Sequence, residues 1–217
     1  MDHHTTREES KFWDGFASSY DRFMRRVSDI YSLLIELIWN ELKQDDHVLE
    51  IATGTGIIAL EISRKVRKIT AIDISAPMIA IAQEKAVKAG AANIGFSVQS
   101  GYATPFDDRE FDVCIVANAF HVMRDPEQCL KEIRRVLKTE GLLIAPTFCH
   151  GETFKARIIS KLMEFSGFKA YHKFTIQEFA DLVEKSGFRI LKKQPLEGPV
   201  PLLYLVAKPY VANGFNS

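Results

Sequence analysis

The run VLEIATGTGIIAL, residues 48–60, limits the fold more than any other stretch of the chain. An apolar-rich segment, Val48 to Ala52, leads directly into Gly54 and Gly56, and a helical spacing of apolar residues follows. A buried strand, a tight turn and a helix are the reading of that pattern. With Ala59 the loop is G-x-G-x-x-A, which can bring helix N-terminal N–H groups up to a nucleotide. Units of this kind assemble into a parallel sheet covered by helices on both faces.

The rest of the chain keeps that rhythm. Residues 7–43 read as two helices, the first carrying Phe12, Trp13, Phe16, Tyr20, Phe23 and Met24 three and four apart. Strands are expected at 47–52, 68–73, 93–99, 111–118 and 141–148. Helices are expected from the glycine loop to about residue 66, over Ala76–Ala89, and from Pro126 to about Lys138. Beyond residue 150 come helices at 152–166 and 175–186, the second with a capping box from Thr175 and Glu178. FRILKKQ and VPLLYLVAK close the fold as a strand pair, which makes seven strands and roughly seven helices in one domain.

Composition excludes several classes of function. Lys plus Arg and Asp plus Glu both number 28, a balance that argues against a nucleic-acid binder. The 47% apolar content suits one globular domain with a substantial core. Cys114, Cys129 and Cys149 match no metal-ligand spacing and read as buried thiols in a reducing cytoplasm. His3 and His4 read as incidental members of a frayed terminus. The polar start has no signal-peptide core, and IYSLLIELIW, interrupted by Glu36, falls short of the ~20 residues of a membrane span. No oligomeric state is legible.

Charge around the glycines bears on the cofactor. A dinucleotide pyrophosphate is anionic, and Glu50, four residues before Gly54, would repel it. S-adenosylmethionine carries an ammonium and a sulfonium, which a carboxylate at the end of the first strand helps to orient. Asp73, nineteen residues after Gly54, can accept hydrogen bonds from ribose hydroxyls, or can serve as the N-cap of the next helix. A nicotinamide-dependent oxidoreductase and a non-catalytic S-adenosylmethionine-binding protein are the alternatives.

VLEIATGTG, AIDIS, the segment from GYATPFDD to EGLLI, and FTIQEFADLVEKSGF together resemble a class I S-adenosylmethionine-dependent methyltransferase. The type 11 domain group, which includes the ubiquinone and menaquinone C-methyltransferases, is the nearest likeness. It covers residues 45–147 well. The resemblance implies a doubly wound, seven-stranded, mostly parallel α/β sheet whose last strand is antiparallel, under an N-terminal helical cap. It also implies that residues 52–56, with Ala52, Thr53, Gly54 and Gly56, wrap the methionine end. Asp73 would meet the ribose, Ile74 and Met78 the adenine, and Gly101, Tyr102 and Ala103 the adenine edge. Asn118 would lie beside the methionine portion, and Tyr20, in SSYD, would close over the cofactor. Two departures stand out: Ala52 replaces the commoner glycine, and Tyr102 stands where an aspartate is usual.

Methyl transfer from a sulfonium is an in-line displacement, so the protein chiefly aligns the acceptor and excludes water. His121, and His150 with Glu152, follow the fourth and fifth strands on the usual ligand edge and are the candidates for a base or orienting group. Residues 151–174 are the candidate substrate lid. Phe154, Ile158 and Leu162, with Ile159 and Met163, form an apolar stripe there, expected to lie on the core beneath a solvated basic face. A small-molecule acceptor is expected, and contact with a membrane surface stays open.

Overall fold

A computed structural model describes residues 3–24, 28–165 and 168–210. Its centre is a sheet in which β1 (His47–Ile51) is flanked by β2 (Lys68–Asp73) and β4 (Phe111–Ile115), all parallel. Outward from these lie β3 (Ile94–Val98) beside β2 and β5 (Leu137–Ile144) beside β4. β8 (Leu202–Pro209) is antiparallel to β5, and β7 (Phe188–Leu196) forms the far edge against β8. The last strand is therefore the antiparallel one, as expected.

The count of seven strands becomes eight among the described residues. The expected fifth strand, 141–148, is interrupted at Ala145–Pro146 and resumes as the short β6 (Thr147–Phe148), still alongside β8. Proline has no N–H to donate to a ladder, so the interruption falls at the residue that cannot pair. β5 also begins earlier than expected, at Leu137, because α5 (Pro126–Val136) passes into it without a loop. β4 ends sooner, at Ile115, where the chain turns toward the ligand edge.

Every residue of β1 is buried, with Val48 in the core on one face and Leu49 and Ile51 in the core on the other. That two-sided burial is why the central strands read as continuous apolar runs. The face holding Val48 is covered by α2 (Ser28–Glu41) and α3 (Ile57–Ile62), the latter shorter than its expected end near residue 66. On the opposite face α5 and α7 (Ile176–Lys185) bring Leu130, Ile133, Phe179 and Val183 onto Phe111 and Cys114. α4 (Ala76–Ala89) is capped by Ser75, whose side chain accepts from the Met78 N–H, and α7 carries the capping box of Thr175 and Glu178. α1 (His3–Met24) starts earlier than expected and packs on α4; the side chains of His3 and His4 lie outside the described residues.

The helix expected at 152–166 is α6 (Phe154–Glu164), and residue 166 lies outside the described residues. Its stripe does not face the core. Phe154, Ile158 and Leu162 are exposed, Ile159 and Met163 are half-buried, and only Ala156 and Ser160 are buried. The strand order reverses between β1 and β4, so their C-terminal ends open a crevice, the place where open α/β sheets take ligands.

Candidate active site

The crevice is an open cleft with about 730 Å³ of empty space, part of it continuous with solvent. The glycine loop contributes Ala52 and Gly54, and the β2 end and α4 contribute Asp73, Ile74 and Met78. Gln99, Gly101 and Tyr102 come from the turn after β3, and Asn118, Val122 and Met123 from the segment after β4. Glu9, Trp13 and Tyr20 of α1 line the remaining side.

The loop is held by its own backbone. Thr53 N–H donates to the Ile72 carbonyl, and Gly54 N–H donates to Asp73 Oδ2 at 2.8 Å. Gly54 has φ +57°, and a Cβ there would lie 3.6 Å from the Tyr20 ring, so what favours glycine is the backbone conformation more than the space. Gly101 is the reverse case. A Cβ at that position would sit 2.5 Å from Ile51 Cγ2, and no side chain fits. Ala52 and Asn118, at the ends of β1 and β4, both adopt left-handed φ, 57° and 53°. Strain gathered at a ligand edge is a mark of a functional loop.

Asp73 is not the helix cap, since Ser75 takes that role. Its two oxygens accept from Gly54 N–H and from Ser75 N–H, and lone pairs remain toward the cleft. Burial pushes its carboxyl pKa up, against the pull of those donors. Glu50 is 2% exposed and does not line the cleft. It lies in the fully buried central strand, where it accepts a 2.6 Å hydrogen bond from the Thr53 hydroxyl. Burial pushes its pKa up to about 8, with the Thr53 bond opposing and Asp73 adding to the shift. Glu50 thus supports the loop from below the cleft surface, and burial favours its protonated form. Thr53 and Gly56 likewise stand behind the cleft surface rather than on it, and Ala103 is exposed without lining it.

The orphaned acceptors identify what the cleft suits. Gln99 Oε1 and Asn118 Oδ1 are buried side-chain atoms of cleft residues without a partner among the described residues. Asn118 spends its Nδ2 on the Tyr31 hydroxyl at 3.1 Å, which leaves Oδ1 to accept. Ribose hydroxyls, an exocyclic amine and an ammonium are all donors, so adenosine with an amino-acid tail fits this lining.

His121 and His150 lie beside the cleft, not on it. Their ring centroids are 5.0 Å apart, and Phe168 stands 6.1 and 6.0 Å from them. Phe148 completes the nest at 6.0 and 6.3 Å. His121 Nδ1 and both nitrogens of His150 are buried without a partner among the described residues. Burial lowers the pKa of both, to about 4 for His150, and His150 further depresses that of His121. Glu152 is committed elsewhere, accepting the Ile176 N–H at the start of α7 at 2.6 Å.

Two contributors had no signal of their own in the sequence. Glu9 reaches the cleft from α1. Asp21 fastens α1 down, accepting from the Thr55 hydroxyl at 2.5 Å and from Lys85 Nζ at 3.0 Å. Only the adjacent Tyr20 had been singled out.

Residues 49–145 match the family model described as a methyltransferase domain. The ubiquinone/menaquinone biosynthesis C-methyltransferase of Hahella chejuensis is 30% identical over 179 residues, covering 76% of this chain and 69% of that protein. The chain belongs to the class I S-adenosylmethionine-dependent methyltransferases. The demethylmenaquinone methyltransferase of Thermotoga maritima is 34% identical over 151 residues, although the match spans only 61% of that protein and 64% of this one. A solved S-adenosylmethionine-dependent methyltransferase from the same organism superposes with TM-score 0.73 at 22% identity, over 94% of this chain and all of that one. A second, from Aquifex aeolicus, gives 0.64 at 23%, over 79% and 88%. These two speak for the fold. The cofactor of this methyltransferase is S-adenosylmethionine, and the nicotinamide reading of its glycine loop falls. No helix among the described residues is long and apolar enough to cross a membrane.

Proposed function

We propose that the methyltransferase moves the methyl group of S-adenosylmethionine to a ring carbon of a small, apolar, hydroxylated aromatic acceptor of the quinol type. The observation that carries this reading is the buried imidazole pair, His121 and His150, set among Phe148 and Phe168 with ring nitrogens unpartnered. The names of the Hahella and Thermotoga relatives, a ubiquinone/menaquinone biosynthesis C-methyltransferase and a demethylmenaquinone methyltransferase, support the acceptor class.

When bound, the cofactor supplies a methyl carbon activated on a positive sulfur. Asp73 would hold the ribose, Ile74 and Met78 the adenine faces, and Gly101, Tyr102 and Ala103 the adenine edge. Ala52, Thr53, Gly54, Gly56 and Asn118 would hold the methionine end, with Glu50 beneath them and Tyr20 above. His121 lies in the segment between Ala119 and Val122, both of which line the cleft, and its ring centroid is 5.0 Å from that of His150. A neutral imidazole there would take the proton of an acceptor hydroxyl, which raises electron density on the ring carbon that attacks. As the S–CH3 bond breaks and S-adenosylhomocysteine leaves, the hydrogen of that ring carbon passes to the ring oxygen, restoring the hydroxyl and the aromatic ring. The surrounding phenylalanines exclude water from the reacting carbon.

In this reading the chain works as one unit, with residues 7–43 as its cap and 151–174 as its lid. Three buried free thiols support a reducing cytoplasm as its setting. The test is transfer of labelled methyl to a short-chain demethylmenaquinol kept reduced, with the product located by mass spectrometry. A ring-methylated product is expected. Tight binding of S-adenosylhomocysteine without turnover on any hydroquinone overturns the proposal.

A further inference from the structure

α6 is turned inside out for a helix of a globular core. Phe154 is 79% exposed, Ile158 46%, Leu162 61% and, at the C-cap, Phe165 86%. These four recur at intervals of three and four and so form one apolar stripe. Only the small side chains of Ala156 and Ser160 are buried beneath it. Lys155 and Lys161 stand exposed on the same helix. The nearby acids are already engaged, Glu164 with Lys173 at 2.6 Å and Glu152 with the Ile176 N–H. The exposed face is thus apolar and cationic together.

Both ends of α6 are rooted in the aromatic nest. His150 lies three residues before its N-cap Thr153, Phe168 three residues after Phe165, and the two rings are 6.0 Å apart. Residues on either side of the helix thus belong to the nest.

We infer that α6 docks this methyltransferase on an anionic lipid surface, the Phe154–Phe165 stripe entering the headgroup–acyl boundary and Lys155 and Lys161 meeting lipid phosphates. A second copy of the chain suits the face less well. A two-fold pairing would bring the lysines of the two copies together with no free acid between them. An 11-residue helix is also only about 16 Å long, too small by itself for the ~800 Å² per partner of a stable interface. A lipid surface needs no such area and complements both characters of the face. Resting on the proposed acceptor class, the same docking brings the methyltransferase to the phase in which an apolar acceptor dissolves.

The test is flotation of the full chain with vesicles of phosphatidylcholine, with and without a third of anionic phosphatidylglycerol, in the absence of cofactor and acceptor. Its outcome is therefore separable from that of the turnover assay. The protein is expected to float with the anionic vesicles and to release at high salt. Ile158→Glu with Leu162→Glu, and separately Lys155→Glu with Lys161→Glu, should each weaken binding by roughly tenfold or more while the melting temperature holds. Wild-type protein that stays unbound overturns the inference, as does undiminished binding of both double variants. So does a wild-type dimer in analytical ultracentrifugation that I158E/L162E converts to monomer, since a second copy would then cover the face.

Discussion

The carboxylate of Glu9 accepts a hydrogen bond from the Tyr102 hydroxyl at 3.0 Å, across 93 residues of chain. The Arg124 N–H donates to the same Glu9 oxygen at 2.9 Å. A carboxylate therefore does stand at the Gly101–Tyr102 segment, where the resemblance led to the expectation of an aspartate, but α1 supplies it. The same contact latches α1 over the cleft, together with Asp21 on Thr55 and Lys85.

Tyr102→Phe keeps the ring and removes the donor. A hydrogen bond to a charged group contributes about 1.5–3 kcal/mol, so α1 should open roughly tenfold more often or beyond. Hydrogen exchange of the α1 amides should accelerate while that of β1 and β4 stays unchanged. Dissociation of S-adenosylhomocysteine should quicken in step. Unaltered α1 exchange would mean that Asp21 and the Arg124 N–H on Glu9 suffice to hold the helix down.

Glu50 makes stability depend on pH in a defined direction. Burial raises its pKa from the ordinary 4.5 to about 8, so the folded state holds a proton that the unfolded state gives up. Its contribution is complete below the unfolded value and is lost as the pH rises through about 8. The wild-type melting temperature should therefore fall across that window, and Glu50→Gln should flatten the fall. Binding of a cationic cofactor beside the loop should also expel the proton. Calorimetric titrations in buffers of different ionisation enthalpy should then report net proton release near neutral pH. Equal pH dependence of the two proteins would show that Glu50 is ionised throughout.

The central sheet was legible because buried parallel strands are apolar on both faces, and β1, β2 and β4 declare themselves as runs. That the glycine loop, Asp73 and Asn118 would come together at one cleft was legible because each lies at or just past the end of a parallel strand. What escaped has a common cause. Periodicity tells which residues of α6 share a face but not where that face points, so Phe154, Ile158 and Leu162 were assigned to the core. Glu9 and Tyr102 meet only through tertiary packing, and no local pattern announces such a pair. Glu152 looked free beside His150 because its partner, the Ile176 N–H, belongs to a helix far along the chain. Glu50 was read as ionised, since its charge state depends on a burial that only the packed sheet creates.

Ala52 bears a measurable strain. It adopts φ 57°, a left-handed conformation that costs an L-residue about 1–2 kcal/mol. Glycine removes that cost but loses about 0.4–1 kcal/mol through the greater freedom of the unfolded chain. Ala52→Gly should therefore stabilise the fold by up to about 1.5 kcal/mol, read as a higher denaturation midpoint with unchanged slope. A lower midpoint would mean that the Ala52 methyl contributes packing that outweighs the strain.

The histidine nest predicts an unusual pH profile for turnover. An ordinary histidine loses its basic form as the pH falls below about 6.5. His150 is held neutral down to about 4, and burial with His150 at its side depresses His121 well below the usual value. A proton acceptor drawn from this pair stays competent in mild acid, so kcat should remain level from neutral pH to about 5 and fall only toward about 4. His121→Asn should lower kcat by about 10²–10⁴ while leaving S-adenosylhomocysteine affinity within about twofold, because the ring stands outside the cleft. His150→Asn should act in the same direction, since the His150 ring lies 5.0 Å from that of His121. A profile breaking near 6.5, with both variants fully active, would move the proton acceptor to another group and leave the nest a packing feature.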